Sequence, residues 1–255
     1  MPLELLAVPC LSDNYAYLLH DPKSGRTGVV DVPEAAPIVD AMTAKGWALS
    51  DIFITHHHYD HVDGLAELRD ATGATVWGAA TDAQRLPPLD HALAEGDTIP
   101  FGDERAYVLD VPGHTVGHIA FHFPDSALAF TADSLMALGC GRLFEGTPAQ
   151  MWDSLCKLAA LPDATRLCSG HDYLAANAAF AQSVDPDNAA LAARVGNLHD
   201  MRQSGAPMAV ATLAEEKATN PFLRARHADM KARLGLTDAP DVTAFAELRA
   251  RKDRF

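Results

Sequence analysis

The sequence predicts a mixed α/β domain followed by a small all-helical domain. Three observations lead to this fold class. Short strand-like apolar runs alternate with helical patterns in the first two thirds of the chain, several of these runs end in His or Asp, and Ala-rich helical patterns alone follow residue 172. We therefore expect a first domain at residues 1–172 and a second, helical domain at residues 173–255.

The predicted elements alternate along the first domain and become helical in the second. Strand-like apolar runs bounded by turn residues lie at 3–8, 15–20, 27–32, 51–54, 75–77, 106–111, 119–123, 127–131 and 166–169. Helical patterns with recognisable ends lie at 33–45, 63–72, 148–160, 173–183, 187–203 and 211–217. Strand signals stop after residue 173, so no strand is expected in the second domain.

The composition is that of a soluble globular protein and disfavours two classes of partner. A formal net charge of −14 argues against nucleic acid and against an anionic membrane surface, because both normally require a basic patch. Four scattered cysteines predict free thiols in a reducing compartment. Neither a signal peptide nor an apolar stretch of about 18 residues is present, so we expect a cytoplasmic protein without a membrane partner. We also expect a monomer.

The segment Thr55-His56-His57-His58-Tyr59-Asp60-His61 has the form H-x-H-x-D-H and follows a short apolar strand. In extended backbone, residues two apart point the same way, so His56 and His58 can converge on one metal ion while His57 points elsewhere. Asp60 and His61 can turn toward a second ion. Imidazole and carboxylate groups suit Zn, Fe and Mn.

Three further strand ends carry ligand-type residues, which completes two metal sites. His114 follows one strand, Asp133 ends another, and His171 ends a third. We expect His56, His58 and His114 in one site, Asp60, His61 and His171 in the other, and Asp133 as the bridging carboxylate. Two divalent ions are therefore expected, zinc first, with iron and manganese compatible. His57 and His118 are expected to support ligands rather than bind metal.

The metal motif and five other segments together resemble the metallo-β-lactamase superfamily and, within it, the glyoxalase II (hydroxyacylglutathione hydrolase) family. These segments are Leu11-Ser12-Asp13-Asn14-Tyr15, residues 139–147 (GCGRLFEGT), Gly170-His171-Asp172-Tyr173, Thr219-Asn220-Pro221-Phe222-Leu223-Arg224 and residues 248–255 (LRARKDRF). The resemblance implies a four-layer αβ/βα sandwich with metals at one edge and a small C-terminal helical domain. It also implies hydrolysis of S-D-lactoylglutathione to D-lactate and glutathione, the second step of methylglyoxal detoxification.

The resemblance further implies a glutathione site formed by Arg142, Phe144, Tyr173, Arg249 and Lys252. The family usually has Lys at 142 and Tyr at 144, so Arg142 keeps the cation while Phe144 lacks a hydroxyl that could bind glutathione. A cationic C-terminus in an acidic chain independently suits a ligand with two carboxylates, although cations also favour a helix end. Asp63-Gly64 stands where the family often has Gly-Gly, and it adds a carboxylate near the metals.

The mechanism expected from these residues is hydrolysis by a hydroxide that bridges the two metals and attacks the thioester carbonyl. Asp60 and Asp133 hold the metals and can orient the hydroxide, and Asp60 can also accept its proton. The leaving group is a thiolate, so no strong general acid is required. None of the four cysteines has an evident acylation partner, and Cys140 is interpreted as structural.

Four alternatives share part of this sequence pattern. A one-iron persulfide dioxygenase of the superfamily has the same metal motif but typically lacks the helical tail and does not need His171. A nuclease is disfavoured by the negative charge. A lactonase or β-lactamase would not use the glutathione-type residues. A non-catalytic metal protein is disfavoured because seven ligands for two ions leave coordination positions open.

Overall fold

The structure is a computed structural model that describes residues 2–205 and 207–255. The chain forms two compact units. Unit 1 comprises Met1–Asp110 and Gly117–Ala132, and unit 2 comprises Val111–Val116 and Asp133–Phe255. These units do not coincide with the predicted domains at 1–172 and 173–255, and that division stays a prediction.

Strands of the first sheet of unit 1 lead into the segments that carry candidate metal ligands. Its six strands follow sequence order: β1 (Glu4–Cys10), β2 (Asn14–His20), β3 (Thr27–Val30), β4 (Leu49–Phe53), β5 (Thr75–Ala79) and β6 (His91–Leu93). β1, β2 and β3 pair antiparallel, whereas β3, β4, β5 and β6 run parallel. The carboxyl ends of β3 and β4 therefore meet at one edge, where ligands gather in open α/β sheets.

Three helices of unit 1 connect these strands: α1 (Ala35–Lys45), α2 (Tyr59–Val62) and α3 (Leu65–Thr72). Ile38 of α1 and Leu68 of α3 are fully buried in one apolar cluster with Ile52 of β4. The prediction of a helix that ends at Gly46 is confirmed, since Gly46 adopts φ 68° and donates its N–H to two carbonyls of the last turn. Helices thus cover one face of the first sheet.

The second sheet of unit 1 packs against the other face through aromatic rings. It contains the antiparallel strands β7 (Thr98–Phe101), β8 (Glu104–Asp110), β9 (Ile119–Phe123) and β10 (Leu128–Ala132). The Phe53 ring lies 5.9 Å from Phe101, 5.4 Å from Phe121 and 6.2 Å from Phe123, centroid to centroid. All four rings are fully buried between the two sheets, so unit 1 has three packed layers: helices, the first sheet and the second sheet.

Unit 2 is mainly helical. Its strands are β11 (Leu135–Met136), β12 (Gly139–Cys140), β13 (Arg166–Ser169) and β14 (Val210–Thr212). Its helices are α4 (Pro148–Ala159), α5 (Leu174–Val184), α6 (Ala189–Gly196), α7 (Leu198–Gln203), α8 (Leu213–Thr219), α9 (Ala228–Leu234) and α10 (Asp241–Arg254). Thr147 begins α4 with a capping box to Gln150, as its Thr-Pro start suggests. No helix in the described residues combines the length and hydropathy needed to cross a membrane.

The structure corrects the expectation that strands stop after residue 173. β14 pairs antiparallel with β13, with Arg166 opposite Thr212. The expected helix at 211–217 therefore begins at Leu213, where the Thr212 side chain accepts a hydrogen bond from the Glu215 N–H. A three-residue strand depends on a partner more than forty positions away, which a local pattern cannot reveal.

We predict that Phe123→Ala strongly destabilises the protein. The Phe123 side chain is fully buried, and its ring contacts Phe53, Phe101 and Phe130. Truncation of such a ring leaves a cavity and should lower the free energy of unfolding by about 3–5 kcal/mol. Denaturant unfolding measures this loss. Tyr107→Ala, at an exposed position of β8, is the matched control and should change stability by less than about 1 kcal/mol.

Candidate metal centre

The side chains of His56 and His58, the first and third residues of the H-x-H-x-D-H motif, point to a common position, as predicted. β4 ends at Phe53 and the chain continues extended to His58, which has φ −62° and ψ 142°. As a result, His56 Nε2 and His58 Nδ1 lie 3.1 Å apart. Two ring nitrogens at this separation can bind one metal ion, because each M–N bond is about 2.0–2.1 Å long.

The orientation of the His56 ring is fixed by Thr55 and His118. Thr55 Oγ1 donates to Asp31 Oδ2 over 2.8 Å, so its oxygen can only accept from His56 Nδ1, 3.0 Å away. The His118 ring stacks on His56 with centroids 4.6 Å apart. With Nδ1 carrying the proton, Nε2 is the nitrogen that can bind a metal.

Asp31 is a buried carboxylate beside the histidine motif that was not among the residues expected at the metal centre. Its Oδ1 accepts from the Thr55 N–H over 2.9 Å, and its Oδ2 accepts from His61 Nδ1 over 2.8 Å. Donor atoms of Asp31, His56 and His61 all lie within 4.8 Å of one another. The available signal was its position, because Asp31 follows β3 just as the histidine motif follows β4.

Asp60 is positioned by Asn14 at the start of β2. Asn14 is buried, and its Nδ2 donates to the Asp60 carbonyl oxygen over 2.9 Å and to Asp60 Oδ2 over 3.3 Å. The Leu11–Tyr15 motif supported the family resemblance, but it had not been assigned this contact. Asp60 is thus held at the first turn of α2 with its carboxylate oriented.

His57 points away from its neighbours, as the alternation of extended backbone predicts. Its Nδ1 lies 2.9 Å from Oδ2 of the fully buried Asp82. Asp82 also accepts from Arg85 Nε over 3.2 Å. A Cβ at Gly117 would overlap the Asp82 carboxylate, so this close approach requires glycine. His57 is therefore held by a buried carboxylate that also pairs with the partly exposed Arg85.

Unit 2 brings together the other three predicted metal ligands. Asp133 Oδ2 lies 3.4 Å from His114 Nε2 and 3.3 Å from His171 Nε2. All three side chains are buried. The Asp133 carboxylate oxygen thus lies close to one imidazole nitrogen of each histidine, and the bridging role of Asp133 stays a prediction.

The loop that carries His114 is bound along its length to the loop at residues 140–146. His114 Nδ1 donates to the Arg142 carbonyl oxygen over 2.8 Å, and the Phe144 N–H donates to the His114 carbonyl oxygen over 3.2 Å. A Cβ at Gly141 would lie 2.0 Å from the Asp133 carbonyl oxygen and 2.9 Å from His114 Nδ1. Glycine is therefore required for this loop to pack against both ligands.

Two of the predicted glutathione-binding residues are exposed beside histidines that are candidate metal ligands. The Phe144 ring is 61% exposed and lies 5.3 Å from the His114 ring. The Tyr173 ring is 40% exposed and stacks on His171 with centroids 4.6 Å apart. Both aromatic groups can contact a ligand that approaches these histidines.

The predicted cationic residues differ in exposure. Arg142 is exposed, and its Nε lies 3.5 Å from Asp253 Oδ1. Arg249 is buried; it donates to the Cys140 carbonyl oxygen over 2.8 Å and to Asp253 over 2.9 Å. Burial, and then the neighbouring Arg249, lowers the pKa of the Lys252 ammonium below its ordinary value of 10.5. Of the three cations, Arg142 is exposed, Lys252 is partly exposed and Arg249 is buried.

Three of the four cysteines are buried thiols that are unsuited to act as nucleophiles. Burial raises the pKa of the Cys140 thiol to about 11 and that of the Cys168 thiol to about 12. Burial also raises the pKa of Cys10 to about 11. A thiol with such a pKa is protonated at neutral pH and unreactive, which agrees with the structural interpretation of Cys140.

Two family models together match most of the chain. The model described as "Metallo-beta-lactamase superfamily" matches residues 39–171, and the one described as "Hydroxyacylglutathione hydrolase C-terminus" matches residues 172–255. A hydroxyacylglutathione hydrolase of Fuscovulum blasticum is 64% identical over 255 residues, which is 100% of both chains. The corresponding enzyme of Ruegeria pomeroyi is 60% identical over the same lengths.

Solved structures show the same fold. ETHE1 from Myxococcus xanthus has a TM-score of 0.67 at 25% identity, with 99% of this chain and 98% of that chain covered. TTHA1623 in a di-iron-bound form has a TM-score of 0.61 at 26% identity, with 86% of this chain and 100% of that chain covered. The predicted metallo-β-lactamase fold with a helical C-terminal region is thereby confirmed.

We predict that Asp31→Asn weakens metal binding by about 10- to 100-fold, because loss of a group that orients a ligating histidine typically has this effect. The amide keeps the shape of the carboxylate but not its charge toward His61 Nδ1. Titration of the metal-free protein with Zn²⁺ against a chromophoric chelator measures the affinity. Asp21→Asn, a buried carboxylate bound to Ser24 instead, is the control and should bind Zn²⁺ like the wild type.

Proposed function

The chain belongs to the hydroxyacylglutathione hydrolase family of the metallo-β-lactamase superfamily, and we propose that it hydrolyses S-D-lactoylglutathione to D-lactate and glutathione. It is an enzyme, as predicted. The observation that carries the proposal is the full-length match to hydroxyacylglutathione hydrolases at 60–64% identity. The substrate class is S-2-hydroxyacyl glutathione thioesters.

The fold and its His and Asp groups support a dinuclear centre for divalent metal ions. We propose His56, His58, Asp60, His61, His114, Asp133 and His171 as the ligands, with Asp133 shared by both ions. Zinc is the metal we propose first, since imidazole and carboxylate ligands suit it. Divalent ions bound there would supply Lewis acidity and a water-derived nucleophile at neutral pH.

The residues around the ligands prepare the centre for this chemistry. The hydrogen bonds from His61 to Asp31 and from His56 to Thr55 fix which ring nitrogen is available. Asn14 holds the Asp60 carboxylate, so that Asp60 can orient the attacking water and accept its proton. The departing glutathione thiolate is a good leaving group, and no acidic side chain is needed to protonate it.

We propose that glutathione binds to Arg142, Phe144, Tyr173, Arg249 and Lys252. Arg142 and Lys252 are the cations that can reach a substrate carboxylate, and Phe144 and Tyr173 offer exposed ring faces beside His114 and His171. Arg249 supports the site through Cys140 and Asp253. Phe144 cannot donate a hydrogen bond, so the remaining polar contacts with glutathione carry more of the affinity.

The persulfide dioxygenase remains the alternative that an experiment must separate from the hydrolase. It would consume oxygen with glutathione persulfide and would need one iron. Full-length identity to proteins named hydroxyacylglutathione hydrolase favours the hydrolase. We further propose a monomer that acts in the cytoplasm on this small-molecule substrate, without nucleic acid or membrane partners.

We predict that the purified protein hydrolyses S-D-lactoylglutathione and contains about two metal ions per chain. Loss of thioester absorbance measures turnover, and elemental analysis measures metal content. Asp133→Ala should lower kcat by at least about 100-fold and reduce metal content, because the carboxylate lies between His114 and His171.

Two outcomes would contradict this proposal. Asp133→Ala with full metal content and unchanged turnover would exclude a bridging role for Asp133. One iron per chain, no thioester turnover and oxygen consumption with glutathione persulfide would instead identify the dioxygenase. Asp125→Ala, in the turn between β9 and β10, is the control carboxylate and should leave turnover unchanged.

We predict that Lys252→Ala raises KM about tenfold with little change in kcat, since a hydrogen bond to a charged group contributes about 1.5–3 kcal/mol. Burial lowers the pKa of Lys252, so its charge is lost at a lower pH than in an ordinary lysine. Wild-type KM should therefore rise as pH becomes alkaline, whereas Lys252→Arg should postpone that rise because a guanidinium stays protonated. Identical pH profiles of KM for wild type and Lys252→Arg would exclude Lys252 from substrate binding.

A further inference from the structure

The helical part of unit 2 holds a short hairpin that connects a metal ligand to the substrate loop. The hairpin consists of β11 and β12, residues 135–140, with Leu135 opposite Cys140. Asp133 lies two residues before it, and Arg142 lies two residues after it. The position of this hairpin therefore sets the positions of both Asp133 and the loop at residues 140–146.

The conformation of the hairpin turn depends on interactions with residues outside the hairpin. Leu138 adopts φ 55°, a left-handed conformation that L-residues other than Gly, Asn and Asp rarely adopt. Leu138 is fully buried, so its backbone N–H has no access to water and needs a protein acceptor. The turn thus depends on groups outside the hairpin.

Side chains of the helical region satisfy the polar backbone groups of this turn. Asn220 Nδ2 lies 3.1 Å from the Met136 carbonyl oxygen and 2.9 Å from that of Gly139. Glu216 Oε2 accepts from the Leu138 N–H over 2.9 Å. Asn177 Nδ2 donates to the Ala137 carbonyl oxygen over 3.0 Å. These hydrogen bonds hold the turn and the adjacent ends of both hairpin strands.

The groups that make these contacts are themselves buried and paired. Glu216 and Asn220 are fully buried, and Asn220 Nδ2 also lies 2.9 Å from Glu216 Oε2. Arg194 is buried, donates to Glu216 Oε1 over 2.5 Å and donates to Thr219 Oγ1 over 2.7 Å. These partners fix the position of the Glu216 carboxylate, and removal of one partner of such a buried pair is strongly destabilising.

The other end of the hairpin reaches the ligand His114. Gly141 packs where a Cβ would meet both Asp133 and His114 Nδ1, and the Arg142 carbonyl oxygen accepts from that nitrogen. A shift of the hairpin would therefore move the hydrogen-bond acceptor of His114 and the backbone of Asp133 together.

We propose that Asn220, with Glu216 and Asn177, is a positioning residue for the metal centre, acting through the 135–140 hairpin on Asp133 and His114. The helical region, residues 173–255, then helps to position the metal centre in addition to binding the substrate. This inference rests on the proposed function in assuming that Asp133 and His114 bind metal, but it does not require a glutathione substrate.

The test measures Zn²⁺ affinity of the full chain without any substrate. Asn220→Ala removes the donor to Met136 and Gly139 and should weaken binding of at least one Zn²⁺ by about tenfold, the lower end of the effect of groups that support ligands. Asn177→Ala removes a single hydrogen bond and should weaken Zn²⁺ binding in the same direction by a smaller factor. Titration against a chromophoric chelator gives each affinity.

Asn188→Ala is the matched control. Asn188 also belongs to the helical region, where its side chain caps α6 and bonds to the Ala218 carbonyl oxygen, but it makes no contact with the hairpin. It should lower the unfolding temperature and leave Zn²⁺ affinity within twofold of wild type. If Asn220→Ala does not fold, Asn177→Ala decides the question.

Two results would overturn the proposal. Folded Asn220→Ala and Asn177→Ala could both bind Zn²⁺ like the wild type, or Asn188→Ala could lose the same affinity as Asn220→Ala. Wild-type protein that binds two Zn²⁺ but does not hydrolyse the thioester would contradict the proposed function alone, because the Zn²⁺ affinities of the variants would still test the hairpin.

Discussion

An imidazole binds a metal ion well only if a hydrogen bond fixes its other ring nitrogen. The rest of the structure depends on this constraint. A free ring would rotate and exchange tautomers. Each metal bond would then have to offset the entropy that is lost when binding fixes the ring. Here His61 donates to Asp31, His56 to Thr55 and His114 to the Arg142 carbonyl oxygen. Each acceptor belongs to a different chain segment, so the orientation of each ring depends on the packing of the segment that supplies its acceptor.

The packing that supplies these acceptors differs between the two units. In unit 1, Asp31 and Thr55 follow neighbouring parallel strands, and the aromatic layer between the sheets keeps those strands in register. In unit 2, the acceptor for His114 lies on a loop whose hairpin is bound by Asn220 and Glu216. A sheet edge positions one set of candidate ligands, and a buried polar network positions the other.

Several features of the candidate site could be predicted from the sequence because they are local. The alternation of His56 and His58 follows from extended backbone, and the structure brings their nitrogens to 3.1 Å. The direction of His57 follows from the same rule. Asp31, Asn14 and Asp82 were missed because their significance lies in contacts with residues 24 to 46 positions away, which no local pattern records.

By itself, the sequence determined the metal motif, the family and most of the longer elements in the first two thirds of the chain, since periodicity and motif spacing are local properties. It did not indicate the short strands β6, β7, β11 and β12, which the structure contains. The tertiary structure alone decided which side chains orient the ligands, why Arg249 is buried while Arg142 is exposed, and that a strand pairs with β13 inside the helical region. Those outcomes depend on burial and on hydrogen bonds between segments that are distant in the sequence. These interactions contribute free energy only after folding has brought the segments together.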